Sequence, residues 1–286
     1  MSLILPRAYR ENPALFDGRS LDRRDPAYVR EYLPILEILR RFYFRVSERG
    51  FDRAPVNEPF LIVASHNGGI NAPDTAMTLL AWFVQRGADA PIYALIQPEV
   101  FAIPYLNVHV MKFGGVVATA RMALQVMQSG APLLVYPGAG DDAYKPYRDR
   151  HRISFYGNDA FIRLALRFQV PVVPVVSVGA HETLIVLDDG RQRAKDLGLT
   201  EHGVERVPLT FSLPYGLTLG MPFNIPFPVK MQLEMGPPIR FAGTTPQSDR
   251  DPAVVKRCYD AVANVMQSMV DRLVRERAGH VHAGAI

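Results

Sequence analysis

The sequence predicts an α/β fold: a mostly parallel central sheet flanked by helices, preceded by an amphipathic helix. Three observations predict it. Short, continuous apolar runs alternate with helical stretches from residue 60 to residue 178, as in sheets buried on both faces. Glycine-rich turns follow several of these runs, where open α/β sheets place ligands. Of 286 residues, 48% are hydrophobic and 21% charged, ordinary globular usage that excludes a disordered or fibrous chain.

Residues 1–27, rich in Arg, Asp and Pro, read as an irregular arm. Leu33, Leu36, Leu39, Tyr43 and Val46 recur at three- and four-residue steps. That period predicts one helix over residues 28–49, with Gly50 as its stop. Two roles stay open for it: packing on its own core, or lying in a membrane interface, which Phe42, Tyr43, Phe44 and its arginines suit. Strands are predicted at 60–64, 92–96, 116–117, 132–136 and 170–178, and helices at 73–85, 118–128 and 159–168. Residues 208–238 carry Pro214, Pro222, Pro226 and Pro228 among bulky apolar residues, which excludes one helix. This segment either lines a greasy groove or packs under the sheet, with a last strand at 229–235. A final amphipathic helix spans 252–277, and the tail holding His280 and His282 reads as irregular. The organisation expected is an arm and helix over 1–50, the main α/β domain over 51–245, and a C-terminal helix and tail over 246–286.

No run approaches the roughly 18–20 apolar residues of a membrane-spanning helix. The N-terminus lacks the apolar stretch and cleavage site of a secretory signal, so an intracellular protein is expected. The lone cysteine, Cys258, excludes an internal disulfide and a cysteine-based metal cluster. Thirty-two basic against 28 acidic residues give a net charge of +4, which favours anionic partners but decides nothing alone.

Chemistry concentrates in two places. In Ser65-His66-Asn67-Gly68-Gly69-Ile70-Asn71-Ala72-Pro73-Asp74 a strand delivers His66 to its carboxyl end. Two glycines then let the backbone approach a substrate, and Pro73 and Asp74 open a helix. A histidine beside a carboxylate is what base catalysis needs: the imidazole takes a hydroxyl proton and the carboxylate stabilises the imidazolium. A satisfied turn histidine and a helix-capping aspartate explain the same letters. The second place joins Gly114-Gly115 through Arg121 with Tyr136-Pro137-Gly138-Ala139-Gly140-Asp141-Asp142. Its glycine turns either offer backbone N–H groups to an oxyanion or anion, or are only tight turns. No Gly-x-Ser-x-Gly elbow occurs, which disfavours a serine hydrolase.

Together these segments resemble the lysophospholipid (glycerolipid) acyltransferase superfamily, PlsC-like, over roughly residues 55–240. His66 with Asp74 is similar to its catalytic histidine–aspartate block. Gly115 to Arg121 keeps the Gly-x5-Arg spacing of its second block, whose arginine contacts acceptor phosphate. Tyr136 to Gly140 stands where the family has Phe-Pro-Glu-Gly-Thr-Arg, and residues 170–175 resemble the fourth block. The runs 155–157 and 179–183 look like a branch that includes transmembrane protein 68, near the monoacylglycerol and diacylglycerol acyltransferases.

Two departures stand out. Asn71 holds the family's aspartate position while Asp74 lies three residues on. Asp74 is favoured as the partner of His66, since a carboxylate stabilises an imidazolium better than an amide. The third block lacks its Glu (Gly138) and its Arg (Asp141), which argues for a neutral or bulkier lipid acceptor. Lys145, Arg148, Arg150 and Arg152 either meet a head group or a CoA phosphate or form a solvated basic loop.

The resemblance implies acyl transfer from acyl-CoA or acyl-carrier protein to a lysophospholipid or a mono- or diacylglycerol-like hydroxyl. His66 and Asp74 would be catalytic, with Asn67, Gly68, Gly69, Asn71, Arg121, Tyr136, Pro137, Gly138, Ala139 and Gly140 at the substrates. It implies no metal, no cofactor beyond the thioester co-substrate, no nucleic acid, and peripheral attachment to the cytoplasmic face of a membrane. A catalytically silent lipid-binding module, or a lipid ester or thioester hydrolase, are the alternatives.

Overall fold

The computed structural model describes residues 10–56, 58–220 and 224–283, with the side chains of 70 and 280–283 excepted. After two short 3-10 turns comes helix α1 (Pro26–Ile38), capped by Asp25, whose carboxylate accepts the Tyr28 N–H. The chain continues through β1 (Ser47–Arg49), β2 (Leu61–Ala64), α2 (Pro73–Arg86), β3 (Tyr93–Ile96), α3 (Pro98–Phe101), α4 (Leu106–Lys112) and β4 (Gly115–Val117). Then follow α5 (Ala120–Gln128), β5 (Leu133–Val135), α6 (Ala139–Ala143), α7 (Ala160–Phe168) and β6 (Val172–Val178). The last part holds β7 (Ile185–Asp188), α8 (Arg191–Asp196), β8 (Leu209–Ser212), β9 (Gly216–Leu219), β10 (Gln232–Met235) and α9 (Pro252–Ala283).

Seven strands form the main sheet in the order β1-β10-β6-β2-β5-β3-β4. From β6 to β4 all neighbours are parallel; β10 runs antiparallel to β6, and β1 follows β10. Strands β2, β5 and β6 are buried at every position, which is why they read as unbroken apolar runs. Alternate residues feed two cores. Leu61 and Val63 join Val126, Ile162 and Met266 of α5, α7 and α9, while Ile62 and Ala64 join Met77, Leu80 and Phe83 of α2. The expected mostly parallel sheet between helical layers is what the chain forms.

Three stretches depart from expectation. The helix predicted over 28–49 ends in a π-helical turn, Leu39–Tyr43; Arg45 then takes a positive φ of 43°, and Ser47–Arg49 leaves as the edge strand β1. The reason is a better partner: the Ser47 N–H reaches Met231 O at 2.9 Å and the ladder to β10 follows. Leu33, Leu36, Tyr43 and Val46 do pack on the core, but Leu39 faces outward with Ile35, Ile38 and Phe42. Residues 208–238 divide: Phe227, Val229 and Met231 pack on the core as one reading expected, and the strand expected at 229–235 forms as Gln232–Met235, but the part before them does neither. Strands β8 and β9 make a hairpin that joins β7 in a separate three-stranded antiparallel sheet. Lastly, the tail read as irregular around His280 and His282 continues α9 to Ala283.

Candidate active site

The site grows from the end of β2. The last ladder bond of this strand is Ser65 N–H to Val175 O at 3.2 Å; from residue 66 the backbone leaves the sheet. Gly68 turns the chain with φ 87°, and a Cβ there would sit 2.7 Å from both Pro73 Cδ and Thr183 Oγ1, so no side chain fits. Pro73 starts α2, and Asp74 lies in its first turn, where the helix dipole favours a carboxylate.

Asp74 gathers three donors. Its Oδ2 accepts the Asn67 N–H at 2.7 Å and lies 3.1 Å from His66 Nδ1, and its Oδ1 accepts the Thr75 N–H at 2.8 Å. With Nδ1 donating to Asp74, the neutral His66 ring carries its lone pair on Nε2. No described residue bonds that nitrogen, and the side chain keeps 17% of its surface exposed while Asp74 keeps 1%. Burial works against charging the imidazole, but the Asp74 carboxylate, as charge and as acceptor, outweighs it with help from Asp142. The His66 pKa therefore lies above the ordinary 6.5.

Tyr136, at the end of β5, lays its ring against the imidazole with centroids 4.5 Å apart. Burial, then the charge of Asp74, raise its phenol well above 10, so it stays neutral. His181 follows β6, almost fully buried; burial first, then the nearby Lys145 ammonium, push its pKa well below 6.5. A neutral second imidazole thus shares the neighbourhood.

The other predicted residues separate into those brought together and those that are not. Asn67 is buried, with Nδ2 on Ser177 Oγ at 2.7 Å. Asn71 points away from His66: its Nδ2 donates to Asn224 O and Oδ1 at 2.7 and 2.9 Å, so Asp74 alone of the two contacts the ring. Gly69 is wedged against Leu184 and Tyr144. Pro137 and Gly138 are buried behind Tyr136, while Ala139 is exposed with its N–H held by Tyr136 O, and Gly140 O accepts Arg206 Nη1 at 3.0 Å. The N–H groups of His66, Asn67 and Ala139 are thereby committed, which leaves Gly68, Gly69, Gly138 and Gly140 as candidates for an oxyanion. Arg121 is exposed at the start of α5.

Lys145 is not at a head-group surface. Its side chain keeps 3% exposure and its Nζ bonds Asp142 Oδ1 at 2.6 Å and Arg152 O at 2.9 Å. Asp141 pairs with Arg191 and Arg206, both from the segment between β7 and β8. Neither arginine nor Asn224 stood out in the sequence, because each lies more than 45 residues from the block it touches. Asp142 with Lys145 left a faint signal, an acid and a base three apart just after the glycine turn.

A parallel sheet that delivers a carboxylate-backed imidazole at the carboxyl end of a central strand defines a site for proton abstraction. Residues 45–178 match the model of the acyltransferase family. That stretch, which holds His66, Asp74, Tyr136 and Asp142, is where the chain is similar to the acyltransferase family. Over 244 residues it is 28% identical to an uncharacterized protein of Mycobacterium tuberculosis and to one of Mycobacterium leprae, which covers 85% of this chain. The aligned region spans 66% and 64% of those relatives, about two thirds of their length. Among solved structures, the 1-acyl-sn-glycerophosphate acyltransferase PlsC from Thermotoga maritima shares the fold. Its TM-score is 0.54 at 18% identity, covering 87% of this chain and 80% of that one.

Proposed function

We propose that the protein transfers a fatty acyl group from a thioester, acyl-CoA or acyl-carrier protein, to a lipid hydroxyl. The observation that carries this reading is the imidazole whose Nδ1 meets Asp74 and whose Nε2 is bonded by no described residue. His66 Nε2 takes the proton of the acceptor hydroxyl while the hydroxyl oxygen bonds to the thioester carbonyl carbon. The carbon–sulfur bond then breaks, and the leaving thiolate recovers the proton from the imidazolium. Asp74 stabilises that imidazolium, and free amides of the Gly68–Gly69 or Gly138–Gly140 turns hold the oxyanion.

A neutral acceptor of the mono- or diacylglycerol type is favoured over a phosphate-bearing one. The position where the superfamily has a phosphate-pairing arginine carries Asp141, and its partners Arg191 and Arg206 are engaged by that carboxylate. This agrees with the branch the sequence resembles.

Access to lipid comes through exposed apolar surface. Ile35, Ile38, Leu39 and Phe42 line the outer side of α1 and its π-helical turn, with Phe42 75% exposed. Leu213 and Ile225 are exposed where the β8–β9 hairpin meets the 224–227 segment, and Tyr43 Oη donates to Pro226 O at 2.5 Å, tying the two surfaces together. No helix among the described residues is long and apolar enough to cross a membrane. The exposed apolar side chains support a peripheral position on the cytoplasmic face of a lipid bilayer.

The test is thiol release from an acyl thioester with mono- and diacylglycerol or lysophospholipid present, alongside mass spectrometry of the lipid product. Wild-type protein is expected to yield acylated lipid and His66→Ala none. Free fatty acid without acyl-lipid would reassign the site to hydrolysis. Equal absence of turnover in both proteins, with lipid still bound, would reduce it to a binding module.

A further inference from the structure

The proton-abstracting site holds a second carboxylate that acyl transfer does not use. Where β2 leaves the ladder, two successive peptide N–H groups, of His66 and Asn67, lose their strand acceptors. Buried backbone donors need partners. Asn67 finds Asp74 from α2, and His66 finds Asp142 from α6, with N to Oδ2 at 2.6 Å. The other Asp142 oxygen takes Lys145 Nζ at 2.6 Å, and both side chains are at least 96% buried. Gly138 makes room for this arrangement: a Cβ there would lie 2.5 Å from Asp142 Cβ.

Resting on the reading that His66 is the base, we propose that Asp142, neutralised by Lys145, is a positioning residue that fixes the His66 backbone and so aims the imidazole. Two carboxylates from different elements clamp the peptide planes on either side of the His66 Cα, while Asp74 also holds Nδ1. Freed from Asp142, the backbone would swing the ring off Asp74 or off the substrate, and a misplacement near 1 Å can reduce turnover about 100-fold. A buried ion pair is an expensive acceptor for one amide, and apolar replacement of such pairs is often neutral for stability. Its presence here points to orientation rather than to holding the fold together.

The charged and titratable groups around the imidazole are Asp74 from α2, Asp142 and Lys145 from α6 and the turn after it, Tyr136 after β5, and His181 after β6. Asp142 raises and Lys145 lowers the His66 pKa, so removing both charges together leaves the hydrogen bond as the variable.

The experiment compares two uncharged double variants in the full chain. In Asp142→Asn/Lys145→Met the amide oxygen still accepts the His66 N–H; in Asp142→Leu/Lys145→Met nothing does, and the volume stays filled. The Asn/Met protein is expected to keep kcat within about tenfold of wild type. The Leu/Met protein is expected to lose about 100-fold in kcat with KM for the thioester unchanged. Asp142→Ala/Lys145→Met repeats the acceptor-free arm should leucine not pack. Equal kcat in the Asn/Met and acceptor-free variants, each melting cooperatively, overturns the proposal. The nitrogen-15 spectrum of the His66 ring decides independently of turnover. Wild type and Asn/Met should show one Nδ1–H tautomer, and the acceptor-free variant a mixture. Identical spectra in all three overturn the positioning role even if no acyl transfer is found.

Discussion

The two sheets of this molecule bury their residues in opposite ways. In the seven-stranded sheet, β2, β5 and β6 are buried at every position, and their carboxyl ends carry His66, Tyr136 and, just beyond, His181. In the three-stranded sheet the covered face mixes buried Val186 with the fully buried hydroxyl residues Thr210 and Ser212, while Phe211, Leu217 and Leu219 face out. That inverts the usual outward-polar rule for an antiparallel sheet. Rigid burial holds a catalytic group in place, whereas an apolar outer face suits contact with lipid. On the proposed function, the difference separates chemistry from access.

The largest expected effect lies wholly in the first region. His66→Ala should lower kcat by about 10³–10⁴-fold and Asp74→Asn by about 10²–10³-fold, because the amide cannot stabilise an imidazolium as a carboxylate does. Asn71→Ala should fall less than tenfold, since its amide is spent on Asn224. Steady-state kinetics on the three proteins ranks them, and an Asn71 loss above that of Asp74 would show that the wrong side chain had been paired with the base.

Stability should divide along the same line. Ile62 is fully buried in the centre of β2, so Ile62→Ala should destabilise by about 2–4 kcal/mol in urea unfolding. Leu217, 64% exposed, should cost under about 0.5 kcal/mol when changed to Ser. Comparable losses at both positions would mean that the outer face of the small sheet is covered in solution.

This division also explains what could be read from the letters. Strands buried at every position write themselves as apolar runs, so β2, β4, β5 and β6 and the turns after them were legible, and with them His66, Asp74 and Tyr136. The β8–β9 hairpin was not, because exposed Phe211, Leu213, Leu217 and Leu219 break the polar-out alternation by which such strands are recognised. Strand β1 was hidden differently: Val46 continues the helical period of Leu36, Leu39 and Tyr43, and only the distant ladder to β10, which pairs Ser47 with Gln232, ends the helix. Asp142 and Lys145 escaped as a pair because a buried ion pair and a solvated basic loop have the same composition.

Lipid contact tests the second region by itself. Phe42→Ser and Leu217→Ser each remove an exposed apolar side chain, and together they should weaken binding to sedimenting phospholipid vesicles about 10-fold or more while thioester hydrolysis or transfer in detergent stays within about twofold. Unchanged vesicle binding would remove these surfaces from the account and leave the site intact.

The smallest effect is on pH. Because the folded His66 pKa is raised above 6.5, the neutral base is depleted below a pH higher than that of a free imidazole. The acid limb of kcat/KM should therefore bend above pH 6.5, and it should move down in Asp74→Asn, where the largest raising influence is gone. Stability follows with the opposite sense. A raised folded pKa means the charged His66–Asp74 pair adds its full stabilisation below about pH 6.5, and this is lost as pH rises through the folded value. Urea midpoints of wild type and Asp74→Asn should thus differ more at pH 5.5 than at pH 8.5. A gap that widens toward alkaline pH would mean that burial, not the carboxylate, governs this imidazole.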